Sequence, residues 1–163
     1  MKRSLFVLAS LSYSFASYAA GPGAPVKSVA RPEGGKPPWS PFGERIETTF
    51  KNAKSKLCMG VAKGNTTFGA YVLQGQCNSD HNDQWWVVEP EGPLGYHTIK
   101  NRQNPKMCLG VDQGGRHPRA DIRLFPCDNK LNQKWKLDTR GTGRYDVFRF
   151  KNRNSDKLCI GVE

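Results

Sequence analysis

Apolar positions along this chain fall in short alternating runs, and no stretch keeps a helical period for long. Tyr71 and Leu73 alternate around Val72, Ile122 and Leu124 around Arg123, and "WWVV" (85–88) and "WKL" (135–137) are equally brief. Clusters of Gly, Asn, Asp and Pro separate the runs, which predicts short strands joined by turns and an all-β domain. Laid over itself at a shift of about fifty residues, the chain shows one unit three times. "FKNAKSKLCMGV" (50–61), "IKNRQNPKMCLGV" (99–111) and "FKNRNSDKLCIGV" (150–162) each read apolar, Lys-Asn, polar turn, Cys-apolar-Gly-Val. The closing half appears twice: Cys77 and Cys127 lie nineteen positions after Cys58 and Cys108, and "QWW" (84–86) answers "QKW" (133–135). A unit of a few strands cannot cover its own apolar face, so the copies are expected to associate around an axis.

The N-terminus departs from this pattern. Lys2 and Arg3 precede an apolar "LFVLASL", and small Ser17 and Ala19 stand before Ala20, which reads as a secretory signal over 1–19. Its apolar run is short and broken by serines, and nothing later reaches membrane-spanning length, so a secreted protein without a transmembrane segment is expected. Residues 20–44 form an arm whose first 24 positions carry six Pro and five Gly, too little apolar surface to fold on its own. Trp39 and Phe42 stand out in it, as side chains that dock onto the domain or as contacts for a partner subunit.

Cys-apolar-x-Val, alternating strand residues, a second Cys and Q-x-W together resemble the ricin-type β-trefoil lectin repeat. The resemblance covers 45–163, with repeats at about 45–94, 95–145 and an incomplete 146–163. It implies a β-trefoil of two complete repeats and the start of a third, with Trp86 and Trp135 in the core and Gln84 and Gln133 bracing turns. It also implies disulfides Cys58–Cys77 and Cys108–Cys127, which an exported protein permits; each closed loop of about 20 residues would contribute roughly 3 kcal/mol. A partner for Cys159 would fall beyond Glu163, so Cys159 is expected as a free thiol or an intermolecular link. The third lobe is expected to be cut short in this sequence, the simpler reading, or completed by another chain.

Sugar sites in this family place an acid just after the first Cys, an aromatic near the second, and an amide before Q-x-W. Hydroxyls recover their hydrogen bonds from the polar pair while the aromatic covers the C–H face of the ring. Repeat two matches in part, with Phe125, Asn132 and Gln133, but Gly110 stands at the acid position and Asp112 two places on. Repeat one keeps Asp83 and Gln84, with Gly60 for the acid and Gly75 for the aromatic; Tyr71 comes two strand positions too early, though an aromatic there could lie near the rim, and repeat one is expected to be a structural repeat. Repeat three has Gly161 for the acid and lacks the remainder. Asp112, Phe125, Asn132 and Gln133 are therefore the leading candidates, with Asp83 and Gln84 as a weaker set.

Charge adds a competing possibility. The chain is basic, +11 at pH 7, and 101–153 hold thirteen Lys/Arg against five Asp, including Arg116, Arg119, Arg123, Lys130, Lys134 and Lys136. Export makes nucleic acid a poor partner and leaves galactose-type or anionic glycans and anionic surfaces. His81, His97 and His117 are scattered, "DHND" (80–83) lacks metal-ligand spacing, Glu89 and Glu91 flank Pro90, Gly114 and Gly115 form no phosphate loop, and no nucleophile motif is present. No metal, cofactor or catalysis is expected. The leading expectation is a secreted, non-catalytic carbohydrate-binding protein, alone or as the receptor-binding part of an assembly. The alternatives are a toxin subunit or scaffold whose trefoil has lost sugar binding, and an electrostatic adhesion module for sulfated polymers.

Overall fold

The computed structural model describes residues 9–12, 45–138 and 147–161. The expected arm, with Trp39 and Phe42, and all of the expected signal except Ala9–Ser12 lie outside the described residues. Repeat one consists of β2 (Ile46–Asn52), β3 (Cys58–Val61), β4 (Val72–Gly75) and β5 (Trp85–Glu91). Repeat two follows with β6 (Tyr96–Asn101), β7 (Met107–Val111), β8 (Ile122–Pro126) and β9 (Lys134–Asp138), and β10 (Val147–Asn152) and β11 (Ser155–Cys159) open repeat three. Antiparallel pairing runs β2–β5–β6–β9–β10, and β1 (Ala9–Ser12) lies between β10 and β2, closing six strands into a barrel. Ala9–Ser12 belong to the segment expected as a signal, so the ring is closed only while they are present, and the repeats themselves supply the other five strands. Hairpins β3–β4 and β7–β8 extend from it.

The repeat seen in the sequence is also a repeat of register. The lysine of each Lys-Asn opening faces the cysteine of its own copy, Lys51 with Cys58, Lys100 with Cys108 and Lys151 with Cys159. The apolar residue before that lysine points inward: Phe50, Ile99 and Phe150 are all buried. Phe50 meets Phe150 edge to face at 4.8 Å, and Phe148 packs against both. Trp86 and Trp135 fill the same core, and each indole N–H donates to a backbone carbonyl of its own repeat, Met59 at 3.0 Å and Leu109 at 2.8 Å. A buried indole needs that acceptor, which accounts for a large aromatic with one polar atom at both positions. Disulfides Cys58–Cys77 and Cys108–Cys127 staple the two hairpins, while Cys159 is unpaired and half-buried, with its thiol pKa pushed up by burial.

The asparagines of the second and third openings each join their copy to the one before. Asn101 donates from Nδ2 to the Asp83 carbonyl (2.8 Å) and accepts from the Gln103 amide (3.0 Å). Asn152 does the same with the Asn132 carbonyl (2.8 Å) and the Asn154 amide (3.0 Å). Each side chain therefore fixes its own turn and the residue before Q-x-W in the preceding copy. A second inter-repeat tie is the buried Lys134, which hydrogen-bonds to Glu91, Thr98 and Asn129. One expected alternation is reversed: Tyr71 and Leu73 face solvent, and Val72 packs on the core. Val72 faces Val61 across the hairpin, as Ile122 faces Val111 in repeat two, and Tyr71 lies against Arg123.

Two outcomes follow for stability. Asn101→Ala strands the Asp83 carbonyl and the Gln103 amide, so its urea midpoint should fall by an amount equivalent to about 2–3 kcal/mol; an unchanged midpoint would show that the joint contributes little. Burial tends to raise the Glu91 pKa, but hydrogen bonds from Lys134 and Thr98 and the positive charges of Lys134 and Arg153 outweigh it, so the net shift is downward. A carboxylate depressed in the folded state stabilises above its unfolded pKa, and that contribution is lost as pH falls through the folded value. Glu91→Gln should therefore lower the melting temperature at neutral pH, with the gap to wild type closing below about pH 4.5.

Candidate functional site

In repeat one the chain leaves β3 through a tight turn, Ala62–Gly64, in which Lys63 and Gly64 adopt consecutive positive φ angles of 56° and 65°. A second turn, Asn82–Gln84, leads into β5. Between them lies an open basin of about 490 Å³ lined by Val61, Lys63, Gly64 and residues 80–84, with Gln103 of repeat two at its border. Gln103 is held there by donating from Nε2 to the Gly64 carbonyl (3.2 Å).

Asp83 forms the acidic wall of this basin. Its Oδ2 accepts from the Val61 amide (3.2 Å), and its Oδ1 lies 4.0 Å from Nδ1 of His81. Gly60 sits directly beneath: a β-carbon there would lie 3.1 Å from Oδ2 of Asp83 and 2.9 Å from Cγ of Gln84. The carboxylate expected just after Cys58 is thus replaced in space by one arriving from before Q-x-W. Its second oxygen retains acceptor capacity toward the basin, since a carboxylate has more lone-pair sites than one amide uses. No aromatic stands at Gly75, so a ligand here would be held by hydrogen bonds.

Repeat two uses the same framework differently. Phe125, Asn132 and Gln133 gather at β7, but a β-carbon at Gly110 would lie 2.8 Å from Cδ2 of Phe125 and 3.3 Å from Cγ of Gln133. The aromatic ring therefore fills the space that an acid after Cys108 would need. Asn132 donates to the Val111 carbonyl (2.8 Å). Asp112 turns instead to Arg123, 3.3 Å from Nε, and Arg123 also binds Asp121 at 2.9 Å. Gln84 and Gln133 spend both ends of their amides on the backbone: Gln84 with the Gln76 carbonyl and Asn78 amide, Gln133 with the Pro126 carbonyl and Asp128 amide. Gly161 lies at the exposed end of the described part of repeat three.

Several basic side chains of the second half are engaged. Lys134 is buried with Glu91, Arg123 is paired as above, Lys130 meets Asp128 (2.5 Å), and Arg116 donates to Asn154 (2.9 Å). Lys136 is exposed and lies 5.9 Å from the Tyr96 ring centre. Asp83 is one of the weaker sequence candidates, and its approach to Gly60 is what the sequence does not show, because the two stand 23 positions apart.

The model of the ricin-type β-trefoil lectin domain matches residues 47–163. Among solved structures, the chain is similar to a designed three-fold symmetric protein, ThreeFoil, at 22% identity and TM-score 0.60, over 68% of this chain and 74% of that one. It is also similar to a mosquitocidal holotoxin (19%, TM-score 0.61, 71% of this chain and 14% of that one). A third is the Polyporus squamosus lectin in complex with a human-type influenza-binding epitope (14%, TM-score 0.60, 75% and 45%). The matched part thus spans less than half the length of the holotoxin and of the lectin. No protein of curated function matches the chain. With repeated Cys and Q-x-W units packed on one core, and a family match over most of its length, this chain belongs to the ricin-type β-trefoil lectin family.

Proposed function

We propose that this protein is an exported, non-catalytic glycan-binding module whose principal contact is the repeat-one basin, with Asp83 as the acceptor for sugar hydroxyls. The observation that carries this reading is the place of the Asp83 carboxylate, within 3.1 Å of the point where a side chain at Gly60 would begin. Family membership supports carbohydrate binding, and the N-terminal charge and apolar pattern supports export. Lys63 and Gln103 add donors at the basin's border, Asp80 adds an acceptor, and His81 can act as either. In repeat two the corresponding space is filled by the Phe125 ring, which favours repeat one as the hydrogen-bonding site. Lys134 and Arg123 are drawn into ion pairs, while Lys106, Arg116, Arg119 and Lys136 stay exposed, so a basic adhesive face is the alternative that salt dependence separates.

The test is binding of the oxidised protein to neutral and sulfated glycans at low and high salt, with Asp83→Asn alongside. This substitution copies the residue at the matching position of repeat two, keeps the side-chain size and removes the charged acceptor. Hydrogen bonds to charged groups contribute about 1.5–3 kcal/mol, so affinity for a neutral glycan should fall roughly tenfold or more while salt has little effect on wild type. Binding that collapses with salt equally in both proteins would instead identify an electrostatic adhesion module.

A further inference from the structure

Three like slots run around the barrel, and they are not filled alike. Trp86 of β5 is registered between Thr48 and Asn101, and Trp135 of β9 between His97 and Asn152. The matching pair in the third slot is Phe148 and Asn52, and the residue registered between them is Ala9 of β1. Two places on, Leu11 is registered with Phe50, as Val88 is with Ile99 and Leu137 with Phe150. The third slot thus has the register of the other two, with alanine where they carry tryptophan.

The surroundings of that position suit an indole. Trp135 meets Phe150 edge to face at 6.5 Å, is registered with Asn152 and donates to the Leu109 carbonyl. By the repeat, the corresponding residues are Phe50, Asn52 and Ile160, and all three line one apolar cavity of about 70 Å³, together with Phe150, Val72 and Ile122. Asn52 carries a second, independent mark. Its carboxamide oxygen accepts from the amides of Lys54 (2.8 Å) and Ser55 (2.9 Å), holding its own turn as Asn101 and Asn152 hold theirs. Those two also donate from Nδ2 to the carbonyl three residues before a tryptophan. Asn52 is only 8% exposed, yet its Nδ2 donates to no described residue. On the outer face, Ser10 is registered with Lys51, which has no carboxylate partner among the described residues. Removal of 1–19 on export bares the edges of β10 and β2 on either side of this slot, and an unpaired edge is a template for another strand.

We propose that the slot between β10 and β2 receives an extended strand of a partner polypeptide once the signal is removed. That strand runs antiparallel to both neighbours, with a tryptophan at the Ala9 register, an acid next to it beside Lys51, and an aliphatic residue facing Phe50. Its indole fills the cavity and donates to the Ile160 carbonyl, and its carbonyl three residues earlier accepts from Asn52. The proposal rests on the export reading above and is independent of Asp83. It is tested with the oxidised protein recovered after export, its N-terminus read by mass spectrometry. The probe is a fluorescent peptide copying residues 128–138 with Lys136→Glu, followed by anisotropy. Changing Trp135 of the peptide to alanine should weaken binding at least tenfold, since a buried tryptophan dominates such contacts. In the protein, Asn52→Asp keeps the turn acceptor but removes the donor and should weaken binding several-fold, whereas Asp83→Asn should leave it unchanged. Bound peptide should raise the melting temperature and slow amide exchange most in β2 and β10. Equal binding of the tryptophan and alanine peptides, or no binding by a protein that starts after Ala19, would overturn the slot and leave the glycan basin standing. A protein that still carries 1–19 would overturn the slot together with the export reading.

Discussion

The hydrogen bond from Asn101 to the carbonyl of Asp83 is the joint on which the rest of this molecule depends. Asn101 is completely buried, and burying an amide is tolerated only when donor and acceptor are both satisfied. Here the donor reaches back into repeat one and the acceptor holds the Gln103 turn in repeat two. Aspartate in its ionised form would lack the donor, and glutamine would be a methylene too long. Because the bond seizes the residue just before Q-x-W, it holds the start of β5, and with it Trp86, in the barrel. It also orients the segment that carries the Asp83 carboxylate. Stability and the candidate site thus share one interaction, which Asn152 repeats between copies two and three.

Around that joint the copies keep what the backbone needs and vary what it does not. Gln84 and Gln133 are bound to backbone on both sides and leave little for a ligand, so recognition passes to their neighbours. In copy one the neighbour is an acid over a glycine, and in copy two an amide beside a glycine covered by Phe125. Each glycine is required by the side chain that lies over it. The same framework therefore presents an open polar basin in one repeat and an aromatic surface in the next.

Charge follows a similar logic. The surplus of Lys and Arg in the second half suggests a broad basic face when counted along the sequence. In three dimensions Lys134 is consumed by Glu91 in the interior, and Arg123 by two carboxylates and a tyrosine. A buried or doubly paired cation attracts a distant polymer far less than an open one, because its field is cancelled locally.

Fold class, the inward tryptophans and the disulfide pairing were all legible in the sequence or in the resemblance it carries. They are set by periodicity and spacing within single copies, where neighbours in sequence are neighbours in space. The outward turn of Tyr71, the burial of Lys134 and the closure of Phe125 on Gly110 were not legible in this way. Asp83 stands 23 positions from the glycine it lies over, and Phe68 stands 57 positions from the Phe125 ring it meets edge to face. The sequence by itself determined that the chain is built of like units that share one core. Which side chains meet where those units touch was decided only by the packed structure, because side chains far apart in the chain compete there for the same space and the same hydrogen-bond partners.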